Sequence, residues 1–347
     1  MKNYILLIIF FAAIGCKKDP YAGITFEAPV FKDSIVVKTT ILNDTIYSKS
    51  ISNITCYKDY IVLFANINDY TFHLLDKKTG SIIKSSGRLG RGPQEMLIPT
   101  SYAINPAEGI VTAFHQMTRE ITVFYLDSIL QDRSHFMDKI SLKKHKNMTF
   151  YKAYPTGNDF LLYGEKSVVY PGGARFCRFS KDAEQLETYN QYPLSKNVVT
   201  DSIHRGKKWQ EHMILQTLSA DGKKIIETTR LGCMLEILDI SNGIKSTLLK
   251  GYYRPNHIIN NEQPIIDENT TLGFYSLQAS DKYLYALYSS DWDIRPEMQV
   301  YDMQGNPIRK YITDTPLSKV CIDEENKKAY AITLLPSHEQ ALITFDL

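Results

Sequence analysis

One pattern restarts six times along the chain, and this periodicity limits the possible folds more than any other feature. A β-rich apolar run ends in a polar turn and resumes as a strand in "TFHLLDKKTGSII" (71–83), "ITVFYLDSIL" (121–130), "FCRFSKDAEQLE" (176–187), "MLEILDISNGIKS" (234–246), "MQVYDMQGNPIRKY" (298–311) and "ALITFDL" (341–347). The turn positions Asp76, Asp127, Ser180, Asp239, Asp302 and Asp346 stand 51, 53, 59, 63 and 44 residues apart. Ahead of each copy comes a second element with Asn, Asp, Gly or Lys between β-branched and aromatic runs, as in "ITCYKDYIVLFA" and "LQASDKYLYALY". That is hairpin chemistry, so each unit holds three or four antiparallel strands.

A single sheet of this kind cannot bury both its faces. Units recurring at more than about 40 residues do so by stacking around an axis. The expected fold is therefore all-β, a six-bladed β-propeller of four-stranded antiparallel blades. The last unit stops after its third strand, whereas "SIVVKTTILNDTIYS" (34–48) is strand-like sequence ahead of the first. This N-terminal strand should complete the sixth blade and close the ring, removing an exposed edge. Aromatic residues make up 12% of the chain, mostly as 23 tyrosines, which agrees with β structure. Helix should be nearly absent, and "HRGKKWQEHMIL" (204–215) reads as loop and strand.

The N-terminus addresses location. Lys2 precedes an apolar run, "YILLIIFFAAI" (4–14), that is shorter than the roughly 20 residues a spanning helix needs. Cys16 follows Ala13, Ile14 and Gly15, an arrangement that resembles a bacterial lipobox, although leucine is commonest where Ala13 stands. The expected organisation is a signal peptide at 1–15, a lipidated tether at 16–30 beginning with acylated Cys16, and the propeller at 31–347. Several acyl chains on one residue anchor stably where one would be marginal. Lys17 gives no inner-membrane retention signal, which favours the outer membrane. Cys56, Cys177, Cys233 and Cys321 are widely spaced with no C-x-x-C pair and read as small buried strand residues rather than zinc ligands, although export would permit disulfides. A net charge of +2 gives no support to nucleic-acid binding.

Three loops stand out as candidate ligand-binding sites. "SSGRLGRGPQEML" (85–97) follows the outer strand of the first complete blade, so it is a link to the next blade. Its glycines, Gly92 among them, permit an anion nest with Arg88 and Arg91 as charged forks. The same arginines can instead pin the corner, for instance by pairing with Glu95. The segment lacks the G-K-[ST] end of a phosphate loop. "KGYYRPNHIINNEQPIIDENTT" (250–271) is the longest irregular link, and its Tyr253, Arg254 and His257 suit a sugar or peptide, or else pack the loop on itself. Trp292 stands between Asp291 and Asp293 in the third. His204 and His212 lack a metal-ligand spacing.

Together the lipobox, the six units and "GRGPQE" resemble the TolB-like six-bladed β-propeller lipoproteins, which often carry G-R-G-P-G-E-F after an early blade. Gly90, Arg91, Gly92, Pro93 and Glu95 match that motif, while Gln94 and Met96 depart from it. The resemblance spans nearly all of the mature chain and implies a fold and an anchor, not a reaction. The expected function is a membrane-anchored binding module, monomeric, for a glycan, peptide or envelope protein. The alternative is a propeller hydrolase or lyase with a metal in the central channel. No G-x-S-x-G elbow is present, and no catalytic residue, cofactor or metal ligand is assigned.

Overall fold

In the computed structural model the described residues are 19–46, 48, 51–194, 207, 209–260, 263–289, 297–337 and 339–347. Six sheets form the blades. The first comprises Ile51–Tyr57, Tyr60–Ile67, Tyr70–Asp76 and Ile82–Arg88. The second runs from Ser101–Asn105 to Met137–Ser141, the third from Thr149–Thr156 to Gln185–Tyr189, and the fourth from Ile214–Leu218 to Lys245–Tyr253. The fifth runs from Phe274–Ala279 to Pro307–Thr313, and the sixth begins with Lys319–Asp323.

The strand sequences explain their places. Second strands such as Tyr60–Ile67 are apolar without alternation because neighbouring blades cover both faces, and Ile61 to Ala65 are all buried. Outer strands such as Ile82–Arg88 bury one edge only and stay largely exposed. Tight hairpins join them; at Asn68 and Asp69 φ is 50° and 67°, the left-handed pair of a two-residue hairpin loop.

Each seam between blades holds its own apolar cluster. Phe64, Phe72 and Leu74 meet Val111 and Phe124 between the first and second blades, and Leu63 and Leu75 meet Ile332 and Leu342 between the first and sixth. The N-terminal sequence closes the ring as the repeats imply. Thr40–Ile46 pairs antiparallel with Gln340–Asp346 as the outermost strand of the sixth blade. Asp33–Val37 does something further: it joins the fifth blade as a fifth strand, parallel to Pro307–Thr313.

Helix is sparse but present. Leu126–Leu130 forms a short helix after the third strand of the second blade, burying Leu126 and Ile129. Lys207, Trp209 and Gln210 are also helical, which corrects the reading of that part of 204–215 as loop, while Ile214 and Leu215 open a strand as expected. Trp209 is fully buried there, so tertiary packing outweighs the segment's weak propensity.

Candidate functional site

Two faces follow from the topology. The turn face carries the turns from first to second and from third to fourth strand. The link face carries the second-to-third turns and the links between blades. The inner strands surround a channel with a chamber toward each face, about 410 Å³ on the turn side and about 460 Å³ on the link side. Asn53, Tyr102, Lys152 and Gln216 line both chambers and form the waist.

Lys152 is the charged group of the waist. Its Nζ reaches the Gln216 carbonyl at 3.3 Å and lies 4.9 Å from the centre of the Tyr154 ring. No carboxylate among the described residues pairs with it, and desolvation pulls its ammonium down to about 8. Lys319, lining the link-side chamber, is lowered for the same reason, with Arg230 adding repulsion.

Behind the waist lies a buried ionic cluster. Arg175, fully buried, donates to Glu227 and, at 2.5 Å, to Glu236. Its guanidinium carbon lies 5.5, 5.3 and 5.6 Å from the ring centres of Phe176, Tyr192 and Trp209. Burial raises the Glu227 carboxyl above its usual range, against the pull of Arg175 and with repulsion from Glu236. Gln216 donates to Glu227 and accepts from the Tyr154 hydroxyl at 2.9 Å, so the cluster connects to the channel wall.

Segment 85–97 is a filled corner. The Glu95 carboxylate accepts from Gly92 N–H at 2.8 Å and lies 3.8 Å from Arg88 Nε, occupying the nest an anion would need. A Cβ at Gly90 would collide with that carboxylate, which accounts for the glycine. Met96 is buried between the first two blades, while Arg91 is exposed.

Around the fourth blade, Arg254 donates to Asp19 at 2.5 Å and stacks over Tyr21 and Phe26. Tyr253 stacks on Tyr288 with centroids 5.5 Å apart, and His257 meets His212 edge-on at 5.0 Å. Residues 19–26 thus pack along this blade, burying Ile24 against Tyr192, Trp209 and Met234. Arg88, Gly92 and Glu95 come together at the first blade and Tyr253, Arg254 and His257 at the fourth, across the ring. Cys16, His204 and Trp292 lie outside the described residues.

Sequence reading missed Lys152, Arg175, Glu227 and Glu236. A signal existed for two of them: "KIIETT" and "CMLEILD" each place one carboxylate inside a buried strand, which demands a buried partner. Among the described residues, no group of three or more His, Cys, Asp and Glu gathers as a metal-ligand set, and no helix is long and apolar enough to cross a membrane.

The family model for the TolB-like 6-blade propeller-like proteins matches residues 30–325. Among curated proteins no match is found. Two solved structures share the fold. A candidate exported protein of Bacteroides fragilis is 11% identical with a TM-score of 0.56, over 93% of this chain and 98% of the other. A member of the DUF4221 family from Bacteroides vulgatus is 10% identical with a TM-score of 0.53, over 89% of this chain and 96% of the other.

Proposed function

This chain belongs to the TolB-like six-bladed propeller family, and we propose that it is an exported, lipid-anchored binding module whose ligand enters the central channel. The observation that carries this reading is the waist. A partly desolvated ammonium, with no described carboxylate to neutralise it, stands where two chambers of ligand-sized volume meet. A rigid ring that holds an unneutralised charge in a cleft is organised to receive a counter-charge. Export and attachment through Cys16 to the outer membrane are supported by the apolar run at 4–14 and the cysteine after it. The ligand is a glycan, a peptide or a segment of an envelope protein.

The test is a thermal-shift screen of the mature protein against neutral and acidic oligosaccharides and peptides. A ligand that raises the melting temperature of wild type but not of Lys152→Met supports a channel site. Hits that bind both proteins equally place recognition elsewhere and overturn the reading.

A further inference from the structure

We propose that the link face rests on the membrane holding the Cys16 acyl chains, so that the turn face looks away from the lipid. This rests on the anchor reading above. Large apolar side chains are exposed at Met117 (96%), Val168 (83%), Val169 (74%), Ile98 (70%), Ile258 (64%) and Leu334 (52%). Five stand in second-to-third turns or inter-blade links and Leu334 ends the second strand of the sixth blade, so all six are at the link face, and together they come from five blades or links around the ring. Leu97 and Ile265 add to this face; the other exposed large apolar residues lie in outermost strands, Ile82, Ile83, Leu186 and Ile41 toward the turn-face end, or in the N-terminal segment, and among the described residues those above 60% are all in the link face or the N-terminal segment. Single exposed apolar residues are ordinary, but a ring of protruding ones set in the loops of one face is not.

The described chain begins on that side, at Asp19. Asp19 meets Arg254, just beyond the last strand of the fourth blade, and the Tyr21 hydroxyl lies 3.3 Å from Nε2 of His212, just before its first strand. Only Lys17 and Lys18 separate Asp19 from Cys16, a reach of about 11 Å at full extension. The acyl chains are therefore tied close to the link face, and the two lysines suit anionic headgroups. Apolar tips around a short anchor can enter the headgroup boundary together. The turn-side chamber then opens to the compartment.

The acylated full chain in phosphatidylethanolamine and phosphatidylglycerol vesicles doped with brominated lipid tests this. Tryptophan at Val169→Trp and Ile258→Trp should be quenched by brominated lipid, after subtraction of the wild-type signal, and Asn158→Trp on the turn face by aqueous iodide. Rim tryptophans that remain open to iodide, or equal lipid quenching at all three sites, would overturn the orientation and leave the apolar rim to a protein partner. Absence of acyl groups on Cys16 by mass spectrometry would overturn the anchor and the orientation together, whereas an acylated chain with unquenched rim overturns the orientation alone.

A separate observation carries a second inference. Cys56, in the first strand of the first blade, and Cys321, in the first strand of the sixth, place their Sγ atoms 3.2 Å apart. We infer that in the exported protein they form a disulfide that staples the ring where its ends meet. Two thiols lose two protons and two electrons, reducing the disulfide of an envelope thiol oxidase to a dithiol. Protein isolated from the envelope and alkylated under denaturing, non-reducing conditions should be modified at Cys177 and Cys233, with Cys56 and Cys321 recovered as one cross-linked peptide pair. Alkylation of all four would overturn the inference. A cross-link between such distant residues should raise the melting temperature by about 3–8 °C over the reduced protein.

Discussion

Lys152 holds its charge against its surroundings, and removing that charge should stabilise the fold. Its ammonium falls from 10.5 to about 8 by desolvation. Below pH 8 both folded and unfolded chains keep the proton, and folding bears the full cost. Between about pH 8 and 10.5 the folded chain has shed a proton that the unfolded chain retains, so the Lys152 contribution to stability rises with pH. Lys152→Met should therefore be more stable than wild type by about 1–2 kcal/mol at pH 7, a figure discounted for partial exposure, with the gap narrowing by pH 9.5. Urea denaturation at both pH values checks this; Tyr154 and Tyr102 are raised by burial and stay protonated throughout. Glu95→Ala should cost about 1 kcal/mol by freeing the Gly92 N–H, and Arg91→Ala should stay within about 0.5 kcal/mol, as melting curves would show. Lys152 was not legible in the sequence because a bulge between Phe150 and Lys152 shifts the alternation that would place its side chain. The corner at 85–97 was legible as glycine-rich, but not the return of Glu95 onto its own backbone.

At the scale of the element, Arg175 ties the third blade to Glu227 and Glu236 on adjacent strands of the fourth. Arg175→Met leaves two carboxylates facing each other without water and should cost about 3–5 kcal/mol. Glu227→Gln should cost clearly less, because burial already biases that carboxyl toward its neutral form. Chemical denaturation of the two variants separates these outcomes, and equal losses would show that the cluster acts by packing alone. The two carboxylates announce themselves as charges within apolar runs. Their partner does not, since Arg175 sits in "GGARF" ahead of a strand and reads as loop.

Across the whole molecule, ring closure depends on Thr40–Ile46 covering the edge of Gln340–Asp346. A chain beginning at residue 51 should expose that edge and elute on size-exclusion chromatography as larger species than the chain that keeps Thr40–Ile46. Blade number, strand count and the closing strand could be read directly because each follows from local rules: hairpin turns, unbroken apolar runs, and a last unit one strand short. The family resemblance rested on the same repeated units together with the lipobox-like N-terminus and "GRGPQE". What only the tertiary structure decided are the relations across blades: which inner-strand side chains face the channel, which cysteines touch, and that the exposed apolar tips share one face. These come from residues up to hundreds of positions apart, brought together only when the ring closes. No periodicity in the chain encodes that meeting.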